Sequence, residues 1–166
     1  MQAIDARARA NELTLMAVLA TVTMLFAAFT AAYLIRRTAV DFQRIDLPGI
    51  LWANTAFLIA SSITLEIARR KAARRWLLAT LGLGLAFLVG QLIAWRSLAN
   101  LGIYLPTSPH SSFFFMLTGI HGAHLLGGIA ALLYATLRGK TLGLFTTYWH
   151  FVGGVWLYVL VMLTTL

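Results

Sequence analysis

A chain of 166 residues that is 60% hydrophobic and only 11% charged cannot fold as a soluble domain, because too little polar surface would remain to cover the apolar part. Its formal charge of +8 comes from 13 Lys and Arg against 5 Asp and Glu, but the basic residues flank apolar runs instead of lining one soluble face, which excludes nucleic acid as a partner. There is no cysteine, so disulfides, thiolate metal sites and thiol nucleophiles are excluded as well.

The opening MQAIDARARANE is polar. The apolar run behind it is of spanning length and lacks a small-residue cleavage signal, so it reads as a retained first helix and not as a signal peptide. That helix covers 13–35 and ends at Arg36 and Arg37. A polar stretch with Asp41, Arg44 and Asp46 follows. Pro48 then opens the second helix, 48–68, where its missing N–H costs nothing. The basic RRKAARR, Arg69 to Arg75, leads to a third helix over 76–95. A looser segment with Pro106, Pro109 and His110 precedes the fourth, 112–137. Arg138, Gly139 and Lys140 make a tight turn into the fifth, 144–163. One span needs roughly 20 apolar residues, so five spans with short loops use up the chain. Helices are the default, since lipid offers no partner for open backbone. The fold expected is all-α and integral to the membrane: a single membrane domain over 1–166, a five-transmembrane-helix bundle.

Positive charge orients such a bundle. The RRKAARR loop holds five of the 13 Lys and Arg. With that loop in the cytoplasm, the N-terminus with Arg7 and Arg9 and the turn with Arg138 and Lys140 are cytoplasmic too, nine basic residues in all. Arg36, Arg37, Arg44 and Arg96 fall on the other side, and the C-terminus is external.

Polar side chains at membrane depth are expensive and therefore informative. His121 and His124 lie three apart in the fourth helix and share a face; His150 lies about two turns inside the fifth. Imidazoles at that depth can ligate haem iron or copper, which makes a haem-binding anchor with His124 and His150 as axial ligands one reading. The other, which the sequence favours, is hydrogen bonding between helices, because no E-x-x-H pattern and no thiolate completes a coordination shell. Gly119, Ala123, Gly127, Ala131 and Ala135 recur every four residues, a ladder that lets a neighbouring helix approach closely. Gly153 and Gly154 follow His150 on its own face. The expectation is a tight fourth–fifth helix pair with the three histidines pointing into protein, at least one bonding across it. Asn54, Ser61, Ser62, Thr64 and Gln91 read as further interhelical hydrogen-bonding groups. Glu66, the only acid inside a span, is expected to pair with Arg69 and Arg70 at the helix end. Trp52, Trp76, Trp95 and Trp149 read as interfacial anchors. Catalytic residues are absent: there is no phosphate-binding Gly loop, no Ser-His-Asp order and no paired acids. Neither a broken helix nor a repeat recommends a transporter.

Two segments resemble a known family. GIHGAHLLGG (119–128), preceded by SSFFFMLT, is similar to the penultimate helix of subunit III of the haem-copper respiratory oxidases, with its TG-aromatic-HG-x-H pattern. TYWHFVGGVWLYVL (147–160) resembles that family's last helix, placing Tyr148, Trp149, His150 and Trp156 on its YWHFVD-x-VWL motif. Weaker agreement covers LWANTAFLIASSITLEIA (51–68), the basic loop and Gln91. The five helices correspond in order and spacing to the family's last five, as in the short bacterial forms without two N-terminal helices. Three intramembrane acids of the family are replaced, by Val22, Ala94 and Gly153.

The resemblance implies a non-catalytic accessory subunit of a proton-pumping terminal oxidase, in aerobic electron transport at the bacterial plasma membrane. It implies no cofactor in this chain. Haems and copper would sit in subunit I, the catalytic partner, and this chain would brace that partner, bind phospholipid and support proton uptake. A subunit-III-like accessory protein of a nitric oxide reductase fits the same motifs.

Overall fold

In a computed structural model the backbone is described for residues 2–71, 73–139 and 142–166, and the side chains for all of these but 2–5, 7 and 8. Arg7 and Lys140, both used in the charge count, lie outside the described side chains, as does Ala72 of the basic loop. The described residues form five helices: α1 (Gln2–Arg36), α2 (Ile50–Lys71), α3 (Arg74–Asn100), α4 (Pro109–Leu137) and α5 (Gly143–Thr165). All five are long and apolar enough to cross a membrane.

The helix ends differ from the sequence expectation, each for a local reason. Helix α1 starts near the first residue instead of at Leu13, because the polar segment DARARANEL is rich in good helix formers and prolongs the helix. At α2, Pro48 and Gly49 precede the helix and their carbonyls accept from Leu51 and Trp52 (both 3.1 Å). Helix α3 runs on to Asn100 and stops in a Schellman turn. Gly102 sits at φ +74, its N–H meets the Ala99 carbonyl, and the Ile103 N–H meets that of Leu98 (both 3.0 Å). Helix α4 begins three residues earlier than expected because SPHS is a capping box. The Ser108 hydroxyl accepts from the Ser111 N–H, the Ser111 hydroxyl accepts from the Ser108 N–H, and Pro109 takes the first helical position.

Short connections make sequential helices antiparallel. Helices α2 to α5 close into a ring in which α2 touches α3 and α5, and α4 touches the same two; α1 lies outside against α4 and α5. The difference in packing is large: 11% of the α1 span is buried, against 39% for α3 and α4. Among its described side chains, Val22, Phe26 and Tyr33 enter the core and Phe29 packs against it.

Glycines set the closest approaches in the ring. A Cβ on Gly90 of α3 would collide with the Asn54 side-chain oxygen of α2, and one on Gly84 would meet the Trp149 ring of α5 at 2.9 Å. Gly82, on the outer side of the same helix, has nothing within 4 Å. Gly84→Ala is therefore expected to destabilise the bundle by about 1–3 kcal/mol through overpacking. Gly82→Ala is expected to be neutral or to gain up to ~1 kcal/mol of helix propensity. Denaturation in detergent micelles, the two variants side by side, measures both; equal midpoints would contradict the close Trp149 contact.

Candidate functional site

The last helix carries the densest cluster of singled-out residues, and its periodicity sorts them. Residues 149, 152, 156, 159 and 163 face the ring and are buried, while His150, Gly154, Leu157, Tyr158 and Val161 form an exposed stripe on the opposite side. Adjacent residues on a helix point about 100° apart, so one of a pair turns inward at the expense of the other. At positions 149 and 150 the indole, with the larger apolar area, goes inside and the imidazole outside.

Each inward tryptophan touches three other helices. The Trp149 indole N–H donates to the Ser61 hydroxyl of α2 (3.0 Å), and its ring lies on Gly84 of α3 and Gly128 of α4. Two turns along, the Trp156 N–H donates to the Thr55 hydroxyl of α2 (3.0 Å). Its ring meets Phe87 of α3 edge-on at 4.7 Å and His121 of α4 at 5.1 Å. Both acceptor hydroxyls give their own proton back to their helix, Ser61 to the Leu58 carbonyl (2.7 Å) and Thr55 to that of Leu51 (2.9 Å). Trp95 of α3 repeats the device on α4: its N–H donates to Thr118 (3.0 Å), which donates to Phe114 (2.6 Å). Trp149, expected as an interfacial anchor, is thus a core residue, 2% exposed, whereas Trp52 is 65% exposed.

None of the three expected imidazoles bonds across α4 and α5. His124 returns its Nδ1 to the Ile120 carbonyl of its own helix (2.8 Å) and packs on Phe26 of α1. His121 is fully buried between Phe87 and Trp156, with neither ring nitrogen bonded among the described residues. His150 is exposed and makes no hydrogen bond among the described residues. The bond that does join the pair runs from the Tyr148 hydroxyl to the backbone carbonyl of His124 (3.0 Å).

The small-residue ladder is likewise redistributed. A spacing of four advances about 40° per step around a helix, so its members cannot keep one face. Gly119 meets Trp95 of α3, Ala123 and Gly127 are exposed, and Ala135 is buried. Gly128, outside the ladder, carries the close contact with α5: a Cβ there would lie 3.2 Å from Tyr148 and 3.3 Å from Trp149. Gly153 faces Ser62, and Gly154 faces open space. Asn54 and Gln91 are buried, as an interhelical role requires, yet their amide atoms have no partner among the described residues.

Two polar features need separate mention. Glu66 binds Arg69 through both carboxylate oxygens (2.8 and 2.6 Å) and Arg70 through one (2.6 Å), as its spacing predicts. His110, read from sequence only as a loop residue, is 1% exposed. Its Nδ1 accepts the Ile45 N–H (3.2 Å), so its Nε2 carries the proton donated to the Leu163 carbonyl (3.3 Å). Among the described residues no group of three or more His, Asp or Glu is placed to hold a metal.

No protein-family model matches the chain. Curated proteins do. The cytochrome c oxidase subunit 3 of Alkalihalophilus pseudofirmus is 30% identical over 162 residues, covering 82% of this chain and 77% of that protein. A probable cytochrome c oxidase subunit 3 of Nocardia farcinica is 31% identical over 157 residues, covering 81% and 77%. The chain belongs to the cytochrome c oxidase subunit III family. The probable subunit 3 of Mycobacterium tuberculosis is more alike, 35% over 121 residues, but there the match takes in 62% of this chain and only 59% of the relative's length. Within this subunit III fold, the inward half of the YWHFVGGVWL motif builds the core and the outward half is left open.

If the indole–hydroxyl bonds tie α5 to α2, a double-mutant cycle of Trp149→Phe and Ser61→Ala should show a coupling of about 0.6 kcal/mol, and at most ~1.7 kcal/mol, in unfolding free energy. The same cycle on Trp149 and Ser62, which faces Gly153, should show none.

Proposed function

We propose that this chain is a non-catalytic, cofactor-free accessory subunit of a proton-pumping terminal oxidase of the bacterial plasma membrane. The observation that carries the reading is the alignment with a relative named as subunit 3 across 82% of this chain. In this reading the haems and copper belong to subunit I, and the chain braces that partner through faces its own bundle does not cover. Two such faces are candidates: the largely unburied flank of α1, and the α5 stripe that presents His150 beside the gap at Gly154. An imidazole turned to hydrocarbon costs several kcal/mol, so His150, which also lines the groove between α2 and α5, needs a polar group of the partner or of a lipid headgroup beside it.

Phospholipid binding has its own support. A groove of about 610 Å³ runs between α2 and α5, lined by Leu58, Ile63 and Leu157 and ending at Glu66 and Arg70. A polybasic helix end beside an apolar groove suits an anionic headgroup with its acyl chain. Support for proton uptake is indirect in this reading and acts by holding subunit I, since Glu66 near the end of α2 is tied to two arginines. Orientation follows the charge count, with the N-terminus cytoplasmic and the C-terminus external.

Purification in mild detergent through a tag on this chain tests the assignment: haem-containing subunit I is expected to co-purify. His150→Phe should lower the amount of subunit I retained several-fold while leaving its haem spectrum unchanged. A Soret band that followed this chain alone and vanished in His124→Ala would overturn the reading in favour of a haem anchor. A C-terminal reporter fusion should give an external signal.

A further inference from the structure

Six polar atoms in the middle of the ring have no partner among the described residues: Oδ1 and Nδ2 of Asn54, Oε1 and Nε2 of Gln91, and both ring nitrogens of His121. They belong to one layer. Asn54 of α2 lies against Gly90 of α3, the residue before Gln91. One turn earlier on α3, Phe87 meets the His121 ring edge-on at 5.6 Å. Trp156 covers both Phe87 and His121 and bonds to Thr55, the residue after Asn54. Asn54 and His121 are 0% exposed and Gln91 is 3% exposed, so neither lipid nor an outside chain reaches them. Everything else polar in this layer is satisfied: the Trp156 N–H, the Thr55 hydroxyl and, next along α4, Thr118 all have protein partners.

We propose that Asn54, Gln91 and His121 form an internal water site that links α2, α3 and α4 beneath Trp156. Buried polar groups in native proteins are almost always hydrogen-bonded, to protein or to ordered water. A carboxamide offers two donors and an acceptor, and a neutral imidazole one of each. Together they present complementary donors and acceptors to water. A buried water makes about three hydrogen bonds, so about two waters account for the six atoms. The site makes sense of residue choice. Apolar residues of the same size would pack these positions without any buried polar atom, so carboxamides and an imidazole on three different helices are costly unless something shared satisfies all of them.

The experiment is water-edited solid-state NMR on the full chain in phosphatidylcholine bilayers, with labelled Asn, Gln, His and Phe, the Phe114 ring being assigned by its loss in Phe114→Leu. The sequence holds only three Asn, three Gln and four His, so the signals are separable. Magnetisation from water is expected to reach the side-chain nitrogens of Asn54, Gln91 and His121 faster than the buried Phe114 ring, and more slowly than exposed Asn11. Build-up as slow as at Phe114 at all three overturns the proposal. Gln91→Leu gives a second reading with opposite signs for the two cases. A hydrated site loses a partner, and the thermal midpoint falls by several degrees with faster exchange at His121. A dry site loses only an unsatisfied amide, and the midpoint rises, which also overturns the proposal.

Discussion

Inside a bundle surrounded by lipid, a hydrogen-bond donor that cannot reach water must be given an acceptor by another helix, and here that constraint is met at two indoles on one face of α5. Trp149 and Trp156 are seven residues apart, and their acceptors Ser61 and Thr55 are six apart on the antiparallel α2. The two bonds fix both the rotation and the vertical register of α5 against α2. The other ring helices conform to them. Gly84 and Gly128 yield room for one indole ring, while Phe87 and His121 pack against the other. Each acceptor hydroxyl is itself anchored to its own helix carbonyl, so the indole meets a fixed lone pair and not a rotor.

Much of this was legible in the residues. Hydropathy and length specify five spans, because bilayer thickness leaves little freedom in span length. The pairing of Glu66 with Arg69 and Arg70 follows from helical spacing alone. The histidines were harder. Sequence places His150 at membrane depth, but whether it or Trp149 faces inward depends on which helices surround α5, and that is a tertiary fact. The ladder at Gly119, Ala123 and Gly127 misled for a related reason: a spacing of four drifts around the helix, and the one α4 glycine that α5 needs, Gly128, is out of step with it. The 7-and-6 spacing of the two tryptophans and their hydroxyls was the available signal for the core, readable only by comparing two helices at once.

The two sides of α5 have unlike characters. The inner side is crowded, aromatic and bonded. The outer side carries an unbonded imidazole and an uncovered glycine on a helix whose neighbour α1 is itself mostly bare. A bundle held so firmly on one side can leave the other open without loss of its own shape, which is what an assembling subunit needs.

His110 has a consequence for biosynthesis. It holds the segment between α1 and α2 by the Ile45 N–H and reaches the last turn of α5 at the Leu163 carbonyl. That carbonyl is made 53 residues after His110. During synthesis, then, the end of the bundle where these segments meet has to wait for α5 to leave the ribosome. The histidine closes that end only when the final helix arrives, so a chain stopped short within α5 would enter the membrane with its first connection still unlatched.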